Sequence, residues 1–183
     1  MNYTYKQIFS QAEVDEFVTH RLRFPFEKAV IRSRENKDKE DLSKRKSERQ
    51  YIPFDYTDPF LAKLTCYIMH VCNKVYSRYD LWTSRPWELL RYTQGDFFGR
   101  HHDQINPVMG PFVSAVVYLG GDYAGGEVRI YNGNTQDSVA IKQQPGFVLT
   151  YPSDTYHEVT KVTEGTRLSL VNFFGLKPPT LHL

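Results

Sequence analysis

The 183-residue chain is within the size of one domain and can bury roughly two-thirds of the surface its unfolded form exposes. A net charge of +2 is too small to argue for a nucleic-acid partner, whose phosphates need Lys and Arg gathered on one face. No N-terminal apolar run or stretch of about 20 apolar residues is present, so no membrane association is expected and the cytoplasm is the expected compartment.

In chain order, Ser10 and Glu13 have the spacing of a capping box ahead of Val14, Phe17 and Val18, which predicts a first helix. "KAVIRS" reads as a strand. Residues 32–49 follow with eight basic and five acidic side chains and one Leu, a run expected to bury nothing. It reads as a solvated helix or loop, or as a flap facing substrate. Asp58 and Pro59 then supply an N-cap and a first helical residue. Leu61, Leu64, Cys66, Ile68, Val71, Cys72 and Val75 give the apolar side of a long helix that packs on a sheet. Cys66 and Cys72, the two cysteines, point to different parts of that helix, which argues against a disulfide or a zinc site.

From Trp87 onward, β-branched and aromatic runs alternate with Gly, Pro, Asn and Asp: "WELLRYT", "FVSAVVYL", "GEVRIY", "SVAIK", "FVLTY", "HEVTKV" and "TRLSLVNFF". The high aromatic content, 15% with 13 Tyr and 12 Phe, suits that reading. Two helices and roughly eight strands predict a mainly β, α+β fold. It is a double-stranded β-helix of the jelly-roll, cupin-like kind, buttressed by N-terminal helices. One domain is expected over 1–183, with helical support and the charged loop in 1–85 and the jelly-roll core in 86–176.

Within "RYTQGDFFGRHHDQ", an extended backbone turns His101 and Asp103 to one face and His102 to the other. His-x-Asp on a strand is half of a metal-binding facial triad, and a second His would complete it with coordination positions left open. His20 and His70 fall in the helices and His182 at the C-terminus, which leaves His157 at the start of a strand. A satisfied surface pair explains an isolated His-x-Asp equally well. Ten residues after His157 stands Arg167. An odd loop such as 162–166 would pair Lys161 with Arg167 in a hairpin and set His157 and Arg167 on one face; an even loop would turn Arg167 away. An inward guanidinium needs an anion, which suggests a carboxylate co-substrate between metal and Arg167. A surface ion pair is the plain alternative for Arg167.

From the long helix to about Phe174 the sequence resembles the Fe(II)- and 2-oxoglutarate-dependent dioxygenases, most closely their prolyl 4-hydroxylase branch. "YTQGDFFGRHHD" is similar to the family's run of Tyr, Gly turn, aromatic and His-x-Asp, with Tyr92 leading and Phe98 as the aromatic. The resemblance implies that His101, Asp103 and His157 hold iron, and that Arg167 and the Tyr118 of "VVYLG" hold the far carboxylate of 2-oxoglutarate. It also implies that Tyr92 and the Val128 of "GGEVRIY" line the co-substrate pocket; in an unrelated β protein Tyr92, Tyr118 and Val128 would be ordinary sheet core. The implied reaction consumes O2 and 2-oxoglutarate, hydroxylates a C–H, and releases succinate and CO2. Ascorbate is an accessory expectation, and no separate acid or base is required. A prolyl residue in a peptide or protein is the expected substrate, acidic if the +3 of residues 32–49 faces it. "PVMGPFV" departs from the oxygen-sensing branch, which carries a basic residue there. A lysyl residue, a free amino acid, a small metabolite or a nucleobase is the alternative, or a non-catalytic ligand-binding jelly roll. The second Arg typical of the nucleic-acid oxygenases is replaced by "LSLVNFF".

Overall fold

The computed structural model describes residues 2–32, 38–39, 41–55, 57–78, 81–83, 85–108 and 110–176. Residues 33–37 and 40 of the charged run, and His182, lie outside them. No helix among the described residues is long and apolar enough to cross a membrane.

The N-terminal half builds a support. Strand β1 (Thr4–Gln7) leads to α1 (Gln11–Arg21), where the capping box forms in both directions, the Glu13 N–H donating to Ser10 Oγ and the Ser10 N–H to Glu13 Oε2. "KAVIRS" is split between two short strands, β2 (Glu27–Lys28) and β3 (Ile31–Arg32), because β2 pairs with β6 (Glu48–Ile52) whereas β3 pairs with β4 (Asp38–Lys39). Helix α2 (Pro59–Lys74) starts where the Asp58 carboxylate accepts the N–H groups of Phe60 and Leu61, and Arg21 of α1 pairs with that carboxylate at 2.6 Å. Leu61, Leu64 and Ile68 are fully buried, each stabilising the fold by about 1.5–3 kcal/mol. Two residues placed on the apolar side are not buried: Cys66 is exposed and Val75 is 45% exposed, because both lie beyond the stripe that meets the sheet.

The charged run also differs from expectation. Residues 45–46 form β5 (Arg45–Lys46), and Arg45, Ser47 and Arg49 are buried. Their strands pair with strands of the two main sheets, β5 with β9 (Phe97–His101) and β6 with β8 (Trp87–Thr93). The guanidinium groups are accommodated by stacking, Arg45 over Phe98 and Arg49 over Tyr51. Charge alone therefore misjudged this segment, since an Arg can bury its stem and face while keeping polar contacts.

The remaining strands are β7 (Leu81–Trp82), β10 (Val113–Gly120), β11 (Tyr123–Gly125), β12 (Val128–Tyr131), β13 (Ser138–Ile141), β14 (Phe147–Pro152), β15 (His157–Val159) and β16 (Val162–Leu176). The larger antiparallel sheet runs β1-β14-β10-β16-β8-β6-β2, with β7 and β11 also paired to β16; the smaller runs β13-β12-β15-β9-β5. Alternation along β10 and β16 sends Ala115, Val117, Leu168 and Leu170 toward the helices, and Val116, Tyr118 and Val171 toward the smaller sheet. The result is helices, large sheet and small sheet in three layers, the jelly roll expected from the strand rhythm.

Strands β15 and β16 do not form the anticipated hairpin. Neighbours occupy both edges of β15 (β12 and β9) and both edges of β16 (β10 and β8), so neither has an edge free for the other. The chain instead crosses between sheets at residues 160–162, where the Thr160 N–H donates to Glu127 O and the Val162 N–H to Asp96 O.

Candidate metal centre

His101 and His157 are direct cross-strand partners on β9 and β15 of the small sheet. Asp103 follows two residues after the end of β9, held by its own N–H and that of Gln104, both donating to Ser153 O. One ligand atom from each of the three side chains lies within 4.8 Å of the others. The His101 and His157 Nε2 atoms stand 3.5 and 3.6 Å from the two oxygens of Asp103.

The imidazoles are oriented by their far nitrogens. His101 Nδ1 lies 2.8 Å from Gly99 O and His157 Nδ1 lies 3.0 Å from Thr155 O. A carbonyl only accepts, so Nδ1 carries the proton in each ring and Nε2 presents a lone pair to the shared space. Phe98 stacks on His101 with centroids 3.6 Å apart and an interplanar angle of 17°. The Asp103 carboxylate accepts from Ser114 Oγ at 2.7 Å, and Ser114 Oγ meets Ser153 Oγ at 2.8 Å. Burial opposes ionisation of Asp103, but His157, His101 and the Ser114 hydrogen bond together hold its carboxyl well below the usual range. Burial pushes His157 down to about 4, so the ring is neutral at pH 7 and available as a donor. Two imidazoles and one carboxylate, oriented by outer hydrogen bonds, fit a divalent iron ion with coordination positions left over.

Arg167 reaches the same interlayer space from the large sheet. On β16 it pairs with Tyr92 of β8 and is 1% exposed, donating from Nε to Gln143 Oε1 and from Nη1 to Ser169 Oγ. Among the described residues no carboxylate forms an ion pair with it. Tyr118 O–H is buried beside it without a partner, and the Arg167 guanidinium lies 5.2 and 5.7 Å from the Tyr92 and Tyr118 ring centroids. A buried cation with no anionic partner and a buried hydroxyl with no hydrogen-bond partner among the described residues fit a carboxylate ligand. Between Arg167 and the three clustered side chains is a cavity of about 60 Å³, lined also by Tyr92 and Val128. It adjoins a cavity of about 670 Å³ that reaches the surface past Phe98, Arg45 and Ile105.

His101, Asp103, His157, Arg167, Tyr92 and Val128 thus share one interlayer space, with Tyr118 at its Arg167 end. His102 falls outside the three-residue cluster, its ring against Tyr156 with centroids 5.1 Å apart. Sequence reasoning missed Ser114, Ser153 and Gln143, which hold the charged groups in place. Ser114 left a signal: it is a small hydroxyl residue on the inward face of "VSAVVYL", which it shares with Val116 and Tyr118.

The pattern of the 2OG-Fe(II) oxygenase superfamily matches residues 87–175. A PKHD-type hydroxylase of Sphingopyxis alaskensis is 36% identical over 95 residues, covering 48% of this chain and 43% of that protein, so the match spans under half of the relative's length. The viral collagen prolyl hydroxylase of Paramecium Bursaria Chlorella virus-1, solved as a 2OG complex, superposes with TM-score 0.74 at 16% identity, covering 97% of each chain. A prolyl hydroxylase from Trichoplax adhaerens, in complex with a hypoxia inducible factor oxygen degradation domain peptide fragment, superposes with TM-score 0.71 at 18% identity, covering 95% of this chain and 83% of that one. At these identities the two structures share the fold.

Proposed function

We propose, from the match of residues 87–175 to the 2OG-Fe(II) oxygenase superfamily, that this protein is an Fe(II)- and 2-oxoglutarate-dependent dioxygenase that hydroxylates a prolyl residue in a peptide or protein. The observation that carries the reading is the pairing of the His101/Asp103/His157 cluster with a buried, anion-free Arg167 across one small cavity. When bound, iron with O2 and 2-oxoglutarate supplies the oxidising power, the co-substrate leaving as succinate and CO2 while a substrate C–H becomes C–OH.

The protein's own part is positional. His101 and His157 offer Nε2 because Gly99 O and Thr155 O hold the protons on Nδ1. Asp103 stays ionised and oriented through Ser114, and its charge offsets part of the metal's. Arg167 and the Tyr118 hydroxyl bind the far carboxylate, which fixes the co-substrate's other end toward the metal side chains. Val128, Val159 and Val171 line the cavity with apolar surface that limits water. The prolyl substrate is supported by the two superposed prolyl hydroxylases and by the peptide held in the Trichoplax adhaerens one. The adjoining 670 Å³ cavity has the size and position to take one residue of such a chain.

The test is succinate formation from 2-oxoglutarate with iron and O2, without substrate and then with proline-containing peptides, followed by mass spectrometry for a gain of one oxygen on proline. Oxygen gained on another residue would transfer the substrate assignment. No turnover together with no iron binding would return the chain to the ligand-binding alternative.

A further inference from the structure

The cavity leading to the metal side chains has unequal charge. Five basic residues (Lys44, Arg45, Arg49, Arg85 and Arg100) line it against two carboxylates, Glu88 and Asp103, and Asp103 is turned to the histidines. Arg49 is answered by Glu27 at 3.0 Å and Lys44 by Asp41 at 3.5 Å. Arg45 is different. It is 8% exposed, donates from Nε to Ser47 Oγ at 2.9 Å and makes a long contact from Nη1 to Val30 O at 3.4 Å. Among the described residues its Nη2 makes no hydrogen bond, and no carboxylate lies within ion-pair distance.

Its position is set by a column of planar groups. The Arg45 guanidinium lies 4.6 Å from the Phe98 ring centroid, and Phe98 stacks in turn on His101. One ring's thickness therefore separates a fixed cation from a metal side chain, and Arg45 lines both the outer cavity and the inner one. Glu88 lines both cavities as well. Burial pushes its carboxyl up even though Arg45, Arg49 and Arg85 oppose that shift, so Glu88 answers this cationic wall only in part.

We propose that Arg45 is a specificity-determining residue and that the site takes a substrate carrying a carboxylate beside the carbon to be oxidised. The carboxylate sits against Arg45 while the apolar part of the substrate lies along Phe98 and Phe173. Two sources share this chemistry: a peptide with an acidic residue next to the target proline, or free proline, which carries its own carboxylate. The identification of proline rests on the reading above; the preference for a carboxylate rests on the cavity alone.

The experiment compares two blocked peptides, Ac-Gly-Ala-Pro-Asp-Gly-NH2 and its Asn counterpart, with free L-proline as competitor. Binding is read by anisotropy of fluorophore-labelled peptide without O2 or 2-oxoglutarate, and substrate-stimulated succinate formation is read separately. A charge-assisted hydrogen bond predicts that the Asp peptide binds about 10- to 100-fold more tightly, with the preference lost in Arg45→Gln and kept in part by Arg45→Lys. Glu88→Gln removes a like charge and should raise the preference, which keeps the test decisive if Arg45→Gln does not fold. Tighter binding by L-proline than by either peptide supports the carboxylate and assigns its source. Equal binding of the two peptides, or a preference that survives in folded Arg45→Gln or falls in Glu88→Gln, overturns the proposal. Absence of succinate from the unaltered protein with every substrate refutes the oxygenase reading instead, leaving the binding result to stand or fall by itself.

Discussion

Replacing Arg167 by Met tests whether the buried guanidinium exists for a ligand. Met keeps an unbranched apolar stem in the interlayer space but removes the charge, and Gln143 and Ser169 lose a donor. Breaking one side of a buried charge pair costs about 3–5 kcal/mol, so the dissociation constant for 2-oxoglutarate should rise roughly 150- to 5000-fold. The metal side chains stand on the other sheet, and metal affinity should stay within about threefold. At co-substrate equal to 100 times its dissociation constant, the folded protein gains about 2.7 kcal/mol of stability. At the same concentration the variant would gain about 0.3 kcal/mol or less. Thermal unfolding of the Mn(II)-loaded protein with and without 2-oxoglutarate reads this directly, and calorimetric titration of Mn(II) supplies the control. Equal co-substrate stabilisation in the two proteins, or metal affinity falling in step with it, would refute the assignment.

His101→Ala should abolish metal binding and turnover, whereas His102→Ala should keep most of both; titration with Mn(II) separates them, and equal losses would contradict the strand-parity argument. Ser114→Ala frees Asp103 from its hydrogen bond and should weaken metal binding by about 10- to 100-fold with little change in secondary structure, as circular dichroism would verify. His157 has a folded-state value of about 4 against 6.5 for an ordinary imidazole, so below pH 6.5 the unfolded chain binds the extra proton first. The metal-free protein's stability contribution from this ring is full above pH 6.5 and falls progressively toward pH 4. Melting temperature followed over that range should drop more for the unaltered protein than for His157→Gln; parallel curves would count against burial as the cause.

The chain order of helices and strands was legible because caps, periodicity and turn residues are local signals, and Ser10, Glu13, Asp58 and Pro59 act where their chemistry predicts. Strand alternation likewise separated His101 from His102. Partner choice was less accessible. That β15 and β16 belong to different sheets depends on which edges are already taken, a property of the whole assembly that no spacing between His157 and Arg167 encodes. Arg167 faces inward for a reason unrelated to a hairpin loop, since alternation along β16 alone places Arg167, Ser169, Val171 and Phe173 on the interlayer face. Arg45 was misjudged because a charged run reads as solvated unless its aromatic platform, Phe98, is known to lie beneath it.

The division of the site between two sheets has a consequence for ligand size. His101 and His157 ride on the smaller sheet and Arg167 on the larger, and no loop sets the span between them. Packed sheets sit about 10 Å apart, so that span is a property of the core. On the proposed reading the layers act as a gauge for diacid length, and the gauge is calibrated by side chains such as Val128, Val159, Leu90 and Val171 that touch neither carboxylate. Trimming one of them would change which diacid fits before it changed any polar contact.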